Sequence, residues 1–288
     1  MIATLHLIPN SLSISCVYYD TDIDTFEKTL LSIIEAVNVA KHVKVLDFSE
    51  LHLINNNPEK ETLFLQGIEK YRHQLDNLVV HNGHGNIGYG RANNIAINKT
   101  RCTFHLILNP DVIADSQAIK CGIEYLNLNT NVGLVAPNVK NENGEIEYLA
   151  KRMPTFLTIF LRGLNSKFLN KVFERKLAHY AYKDKIPTDA PFEIELASGC
   201  FMLCRTEILK KVGGFSEKYF LYFEDFDLSK KLNRLTQLHY LPKMQAYHSG
   251  GYAARKGLKH TKLFLRSYLL FACSSWKKSN NHTRFKLL

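Results

Sequence analysis

Over the first 115 residues, the apolar positions switch repeatedly between a period of two and a period near 3.6. Residues 12–19, Leu-Ser-Ile-Ser-Cys-Val-Tyr-Tyr, alternate and predict a strand. Phe26, Leu30, Ile33, Ile34 and Val37 recur at helical spacing and predict a helix over residues 24–45. Residues 51–54 predict a short strand that ends in the turn Asn55-Asn56-Asn57-Pro58, and residues 59–75 predict a helix. A strand at 78–80, a helix at 90–99 and a buried strand at 104–108 follow, the last ending at Asn109-Pro110-Asp111. This strand–helix alternation predicts the α/β class with a mainly parallel sheet, whose ligands sit at the carboxyl ends of the strands.

The second half is less regular. Residues 133–136 read as a strand, and 150–192 as basic, amphipathic, helical material. A strand at 195–204, a helix at 206–212 and a turn at Gly213-Gly214 come next. Residues 226–235 predict a helix, 239–247 a short strand pair or extended segment, and 258–276 a basic amphipathic helix. No repeat or low-complexity linker divides the 288 residues. The expected organisation is one catalytic domain over 1–257, with halves at about 12–115 and 116–257, and a C-terminal helix and tail over 258–288.

Composition narrows the class. At 45% hydrophobic and 22% charged, the chain is that of an ordinary globular protein with a sizeable core. No apolar run is long enough to span a bilayer, and the N-terminus lacks the pattern of a signal peptide, so a cytoplasmic location is expected. The six cysteines form no Cys-x-x-Cys pair and read as buried free thiols rather than a zinc site. The net charge of +10 gathers after residue 150 and suits anionic partners such as phosphorylated substrates or a membrane surface. No RNA-recognition signature, zinc finger or Gly-Lys-Ser/Thr phosphate loop is present, and nucleic acid is not expected as a partner.

Several segments carry candidate chemistry. Gly83-His-Gly85-Asn-Ile-Gly88 spells the dinucleotide-binding pattern between a strand and a helix, with Asp111 downstream, and would fit an NAD-dependent oxidoreductase. Against it, the first turn after Tyr19 is Asp20-Thr-Asp22, without glycine. Asp111, at a strand end beside the expected crevice, suits a hard cation bridging a diphosphate. Glu224 and Asp225 open a helix after the aromatic run Tyr219-Phe-Leu-Tyr222-Phe223, which suits a sugar-binding wall with a base at its edge. His248 precedes glycines and then Arg255-Lys256, two cations suited to phosphate oxygens.

These segments form an ordered set. Asn86-Ile-Gly-Tyr-Gly90…Ala92-Asn-Asn94, Leu106-Ile-Leu-Asn-Pro-Asp111, Ser198-Gly-Cys-Phe-Met202, Gly213-Gly-Phe215, Phe220-Leu-Tyr-Phe-Glu-Asp-Phe-Asp-Leu228 and His248 together resemble the family 2 glycosyltransferases. The resemblance is greatest to the rhamnosyltransferase-like branch of bacterial O-antigen and surface-polysaccharide synthesis, and it runs over about residues 12–276. It implies a GT-A fold, with a Rossmann-like donor half and an acceptor half on one sheet. Asp111 matches the last acid of the family's metal-binding Asp-x-Asp, and Asn109 stands where its first acid usually does. His248 matches the late histidine ligand, so Mg²⁺ or Mn²⁺ is the implied cofactor, and Asp225 matches the general base.

The resemblance also implies donor contacts at Gly88, Arg91 and Asn94, at Asn109, at Arg255 and Lys256, and near Tyr19 and Asp20. The family's base-contacting position falls on Asn55-Asn56, or on Asp47 if the second strand is 43–46. Ser198, Gly199, Tyr222 and Phe223 are the expected acceptor contacts. The implied reaction is a single displacement with inversion, Asp225 taking the acceptor proton and Glu224 assisting electrostatically. The best donor reading is dTDP-rhamnose, with UDP-galactofuranose, UDP-N-acetylglucosamine and UDP-glucose as alternatives. A silent glycan-binding protein is the reading from another class. The expected acceptor is a glycan or a polyprenyl-diphosphate-linked glycan. The basic amphipathic segments at 151–162 and 259–276 would suit a peripheral site on an anionic membrane.

Overall fold

The computed structural model describes residues 6–164, 167–249 and 257–284. Its strands are β1 (Ile8–Tyr18), β2 (Phe48–Asn55), β3 (Asn77–His81), β4 (Cys102–Leu108), β5 (Val112–Ala114), β6 (Val132–Asn141), β7 (Ile146–Glu147), β8 (Phe192–Glu193), β9 (Phe201–Arg205) and β10 (Gln237–His248). Its helices are α1 (Ile23–His42), α2 (Glu61–Glu69), α3 (Tyr89–Lys99), α4 (Ala118–Leu128), α5 (Phe156–Leu164), α6 (Lys167–Val172), α7 (Glu174–Tyr180), α8 (Thr206–Lys211), α9 (Glu224–Leu232) and α10 (Gly257–Arg284).

One sheet runs through both halves in the order β3-β2-β1-β4-β9-β6-β10-β5, with β7 on β6 and β8 on β10. The first four strands are parallel, as the alternation predicts. The second half departs from that expectation. β9 enters antiparallel between β4 and β6, and β5 lies antiparallel on β10.

The period of two sets the two faces of the sheet. Leu12, Ile14 and Cys16 of β1 and Phe104, Leu106 and Leu108 of β4 pack with Phe26, Leu30 and Ile33 of α1 and Phe64 of α2. The alternate residues turn towards α3. Val17 meets Ala92 and Ala96, and Ser15 meets the buried Asn93 and His105. α1 starts where Asp22 accepts from the Thr25 amide at 3.1 Å and ends with Lys41 and His42. Both ends complement the helix dipole and its unpaired groups.

Other predicted boundaries shift for physical reasons. The helix expected over 59–75 ends at Glu69, because Tyr71, Arg72 and Gln74 bond back three residues and tighten the chain into turns. The strand expected over 195–204 is shortened to β9. The Ala197 amide donates to Ser229 Oγ and the Gly199 amide to Asp225, so this backbone pairs with α9 instead of a strand. Residues 239–247 lie within one strand, β10, whose register on β6 slips between Leu241 and Gln245, around Pro242. Helix α4 and strands β5 and β7 have no counterpart in the pattern reading.

Candidate active site

The acids of α9 are presented by a strained turn. Tyr222 and Phe223 both take the left-handed backbone region, with φ of 72° and 65°. Aromatic residues rarely occupy it, and such strain persists only where the surroundings hold it. Phe223 is held among Ile159, Tyr219 and Phe271. The Tyr89 amide donates to the Phe220 carbonyl at 3.2 Å, fixing the start of the turn to α3.

Asp225 then points back across the sheet end. Its Oδ2 accepts from the Gly199 amide at 3.0 Å and its Oδ1 from the Phe226 amide at 2.8 Å. The Tyr89 hydroxyl donates to the Gly199 carbonyl at 2.6 Å, so one peptide, at Gly199, links Tyr89 to Asp225. Gly199 leaves little room for a side chain there, since an added Cβ would lie 3.2 Å from Tyr89 and 3.3 Å from Asp225 and would push both by a few tenths of an ångström.

Glu224 differs from its neighbour. It is 5% exposed, and its Oε2 is buried with no hydrogen-bond partner. Burial first, and the Asp225 charge second, push its carboxyl up. The neutral form is thereby favoured over the anion.

The other cluster forms where β4 ends. The chain passes Asn109-Pro110-Asp111 into β5, which pairs with the end of β10 so that Val112 lies opposite His248. The Ser249 amide donates to the Asp111 carbonyl at 2.9 Å. These pairings bring His248 Nε2 to 3.4 Å from Asp111 Oδ1, an oxygen that is buried without a hydrogen-bond partner. On the far side of the ring, His248 Nδ1 lies 2.8 Å from Glu147 Oε2. Burial opposes charge on this imidazole, but the neighbouring Asp111 and Glu147 carboxylates together outweigh burial and raise it to about 9.

An oxygen and a nitrogen donor facing each other, with a carboxylate orienting the second ring nitrogen, is a donor set that suits a divalent cation. The orphaned Asp111 oxygen fits that use. Among the described residues, no group of three or more His, Cys, Asp or Glu converges as a complete metal cage. Asp111 and His248 would supply two ligands, which would suit an ion that takes the rest from a diphosphate and water.

The two clusters are linked through the backbone of residues 199 and 200. The Cys200 carbonyl accepts from the Asn109 amide at 2.9 Å, while the preceding peptide holds Asp225. Burial drives the Cys200 thiol well above its usual range, its contact with Ser198 works against this, and the charges of Asp111, Glu147 and Asp225 add to the rise.

The expected donor contacts fare unequally. Tyr19 is half exposed, and Asp20 pairs with Lys60 at 2.9 Å. Asn55 is committed within its own turn, accepting from the Asn57 amide and donating to Asn82. Asn56 instead keeps a buried Oδ1 without a partner, while its amide nitrogen donates to the Gly88 carbonyl. Asn56 thus presents the unused acceptor that Asn55 was expected to supply. Asp47 precedes β2 and lies at the opposite strand end, where it accepts from Asn10.

Asn94 uses both ends of its amide on the Phe215 backbone, and Arg91 donates to the Glu217 carbonyl. Both brace the loop before Tyr219. Gly88 has φ 89°, and an added Cβ would lie 2.4 Å from the Phe220 oxygen. The first turn of α3 is thus capped by protein backbone where a dinucleotide fold would seat its pyrophosphate. Arg255 and Lys256 lie outside the described residues.

Of the residues expected at the acceptor side, Gly199 lies beside Asp225, Ser198 contacts Cys200, and Phe223 is buried in the aromatic cluster. Tyr222 turns to His260 of α10, its hydroxyl 2.8 Å from Nδ1. Sequence reasoning missed Glu147 and Tyr89. Glu147 sits in a two-residue strand, and only its pairing with Val139 of β6, itself opposite Ala246 of β10, brings it to His248.

No known family profile matches the chain. In sequence it is 26% identical over 204 residues to rhamnosyltransferase WbbL of Escherichia coli (strain K12), covering 66% of this chain and 69% of that protein. It is also 26% identical over 144 residues to N-acetylglucosaminyl-diphospho-decaprenol L-rhamnosyltransferase of Mycobacterium tuberculosis (strain ATCC 25618 / H37Rv), covering 50% of this chain and 46% of that protein. In structure it resembles S. aureus TarS 1-349 with a TM-score of 0.53 at 18% identity, over 83% of this chain and 60% of that one. It resembles GalNAc-T7, crystallised with UDP, GalNAc and Mn²⁺, with a TM-score of 0.57 at 14% identity, over 83% of this chain and 43% of that one. The chain therefore spans under half the length of two of these relatives. The fold is GT-A, and the sequence kinship is with bacterial rhamnosyltransferases, as the ordered motifs imply.

Proposed function

We propose that this chain is a metal-dependent, inverting glycosyltransferase that moves L-rhamnose from dTDP-rhamnose to a glycan or polyprenyl-diphosphate-linked glycan. The observation that carries the reading is the convergence on Cys200. The Asp111–His248 pair, at the carboxyl ends of β4 and β10, and the Asp225 carboxylate are tied to the same stretch of backbone, residues 199 and 200. The sugar of the donor comes from the sequence relatives, whose names specify rhamnosyl transfer.

Asp225 holds the acceptor hydroxyl and takes its proton as the oxygen attacks the anomeric carbon. The Gly199 and Phe226 amides aim the carboxylate. Glu224, buried and favoured in the neutral form, offers a hydrogen bond at the same wall. Asp111 and His248 would hold Mg²⁺ or Mn²⁺, which supplies charge neutralisation for the departing diphosphate. Glu147 keeps the imidazole turned towards Asp111. Asn56 Oδ1 is placed to accept the N3–H of a thymine or uracil. With UDP-galactofuranose, UDP-N-acetylglucosamine or UDP-glucose the same residues would keep the same roles. A lipid-linked acceptor makes the working enzyme a peripheral protein on the cytoplasmic face of a membrane. No helix among the described residues is long and apolar enough to cross one.

The test is Asp225→Asn with radiolabelled dTDP-rhamnose. Transfer is expected to fall by at least about 100-fold while donor affinity holds. Near-normal transfer by this variant defeats the assignment of the base.

A further inference from the structure

Exposed apolar side chains gather on three helices beside the acceptor side. On α5, Phe156 and Phe160 stand one turn apart, stacked at 6.3 Å between centroids, and are 72% and 50% exposed. On α6, which packs against α5, Phe168 and Val172 repeat that spacing and are 75% and 59% exposed. On α10, Leu265 and Leu269 repeat it again. Phe156 meets Tyr268 of α10 with centroids 6.3 Å apart, so the rows of α5 and α10 lie side by side. Behind them lies the aromatic cluster that holds Phe223, two residues before Asp225. A contiguous apolar patch of this kind marks a surface that something covers.

The charge around the patch indicates what covers it. Glu174 is the lone acid in residues 156–180, where Lys171, Arg175 and Lys176 stand exposed. α10 contains no acid, and Lys262 and Arg266 stand exposed beside Leu265 and Leu269. Aromatic and aliphatic rows rimmed by cations match an anionic bilayer surface, where rings sit at headgroup depth and cations meet phosphates. A second copy of the chain would set like charge against like charge.

We propose that the exposed faces of α5, α6 and α10 form one docking surface for an anionic lipid bilayer, with the Phe223–Asp225 turn held behind it. Docking sets the general base at the headgroup level, where the first sugars of a lipid-linked acceptor stand. The proposal rests on the lipid-linked acceptor read above and names the surface that meets the lipid.

Flotation of the full chain with phosphatidylcholine vesicles, with and without phosphatidylglycerol, tests this. Binding is expected with the anionic vesicles, weakening as salt rises. Two variants are made, Phe156→Ser with Phe160→Ser and Phe168→Ser, and Lys262→Glu with Arg266→Glu. Each is expected to lower vesicle partitioning by at least about tenfold, with the donor-induced thermal shift unchanged. The charge variant, confined to exposed side chains, stands if the aromatic one misfolds. Failure of the wild-type chain to float with anionic vesicles overturns the docking surface, and so does wild-type partitioning by a folded charge variant. A dimer that the same substitutions dissociate overturns it in favour of self-association. Flotation without any donor-induced shift leaves the surface standing and overturns the transferase reading instead.

Discussion

At the scale of single residues, the site depends on side chains whose hydrogen bonds are fixed by the backbone around them. Tyr89 holds the peptide that aims Asp225, without touching Asp225 through its own hydroxyl. Tyr89→Phe removes one hydrogen bond worth about 1 kcal/mol. It is expected to lower kcat by about tenfold and leave the donor Kd unchanged, which steady-state kinetics and a donor titration would show. His105 makes a different point. It is fully buried, its Nε2 lies 3.0 Å from Ser15 Oγ, and its Nδ1 has no partner. Burial first, and the neighbouring His52 second, lower its pKa to about 3. The unfolded chain, with histidine near 6.5, therefore binds more protons between those two values. Its contribution is present in full above about pH 6.5 and is lost as pH falls towards 3. Melting temperature is expected to drop along that limb, and His105→Gln should flatten it.

At the scale of elements, the first half was legible because each strand and helix carries its own period. β1, α1, α3 and β4 were visible in their apolar positions, and Asp111 in its place at a strand end. What stayed hidden depends on pairing between distant segments. β5 and β7 are too short for a period to show, yet they bring Asp111 and Glu147 to His248. The polar residues Asn94 and Arg91 were read as donor contacts, because a sequence does not tell a side chain that binds a ligand from one that braces a loop. The start of α3 illustrates the bracing. Gly88 fits only because it has no side chain beneath the Phe220 carbonyl, and its φ is positive. Gly88→Ala must move that carbonyl and with it the strained Tyr222–Phe223 turn. A melting temperature several degrees lower is expected, together with loss of transfer. An unchanged melt would show that the turn yields easily.

At the scale of the whole molecule, residues more than a hundred positions apart act at one point. Asp111, Glu147, Cys200, Asp225 and His248 lie on separate segments, and the sheet order explains their meeting: β9 separates β4 from β6, and β10 places its end beside β5. The sequence motifs singled out Asp111, Asp225 and His248, and the topology shows how their segments come near one another. Donor binding at a two-ligand metal site should need the ion. A thermal-shift screen with dTDP-, UDP- and GDP-sugars is expected to show stabilisation by dTDP-rhamnose with Mn²⁺ and to lose it in EDTA. Asp111→Ala should behave in Mn²⁺ as the native chain does in EDTA. Full stabilisation in EDTA would remove the metal from the proposal.

The antiparallel insertion of β9 has a mechanical consequence. A hinge between donor and acceptor halves would need a seam, and β9 is hydrogen-bonded to β4 on one edge and β6 on the other. Opening the halves like jaws would tear a ladder in the middle of the core. The sheet therefore behaves as a stiff plate, and the distance from Asp111 and His248 to Asp225 is set when the chain folds. Any movement during turnover belongs to the connections along the rim of that plate. Variants that alter rates by changing flexibility should map there, while those within β4, β6 or β9 should act on stability alone.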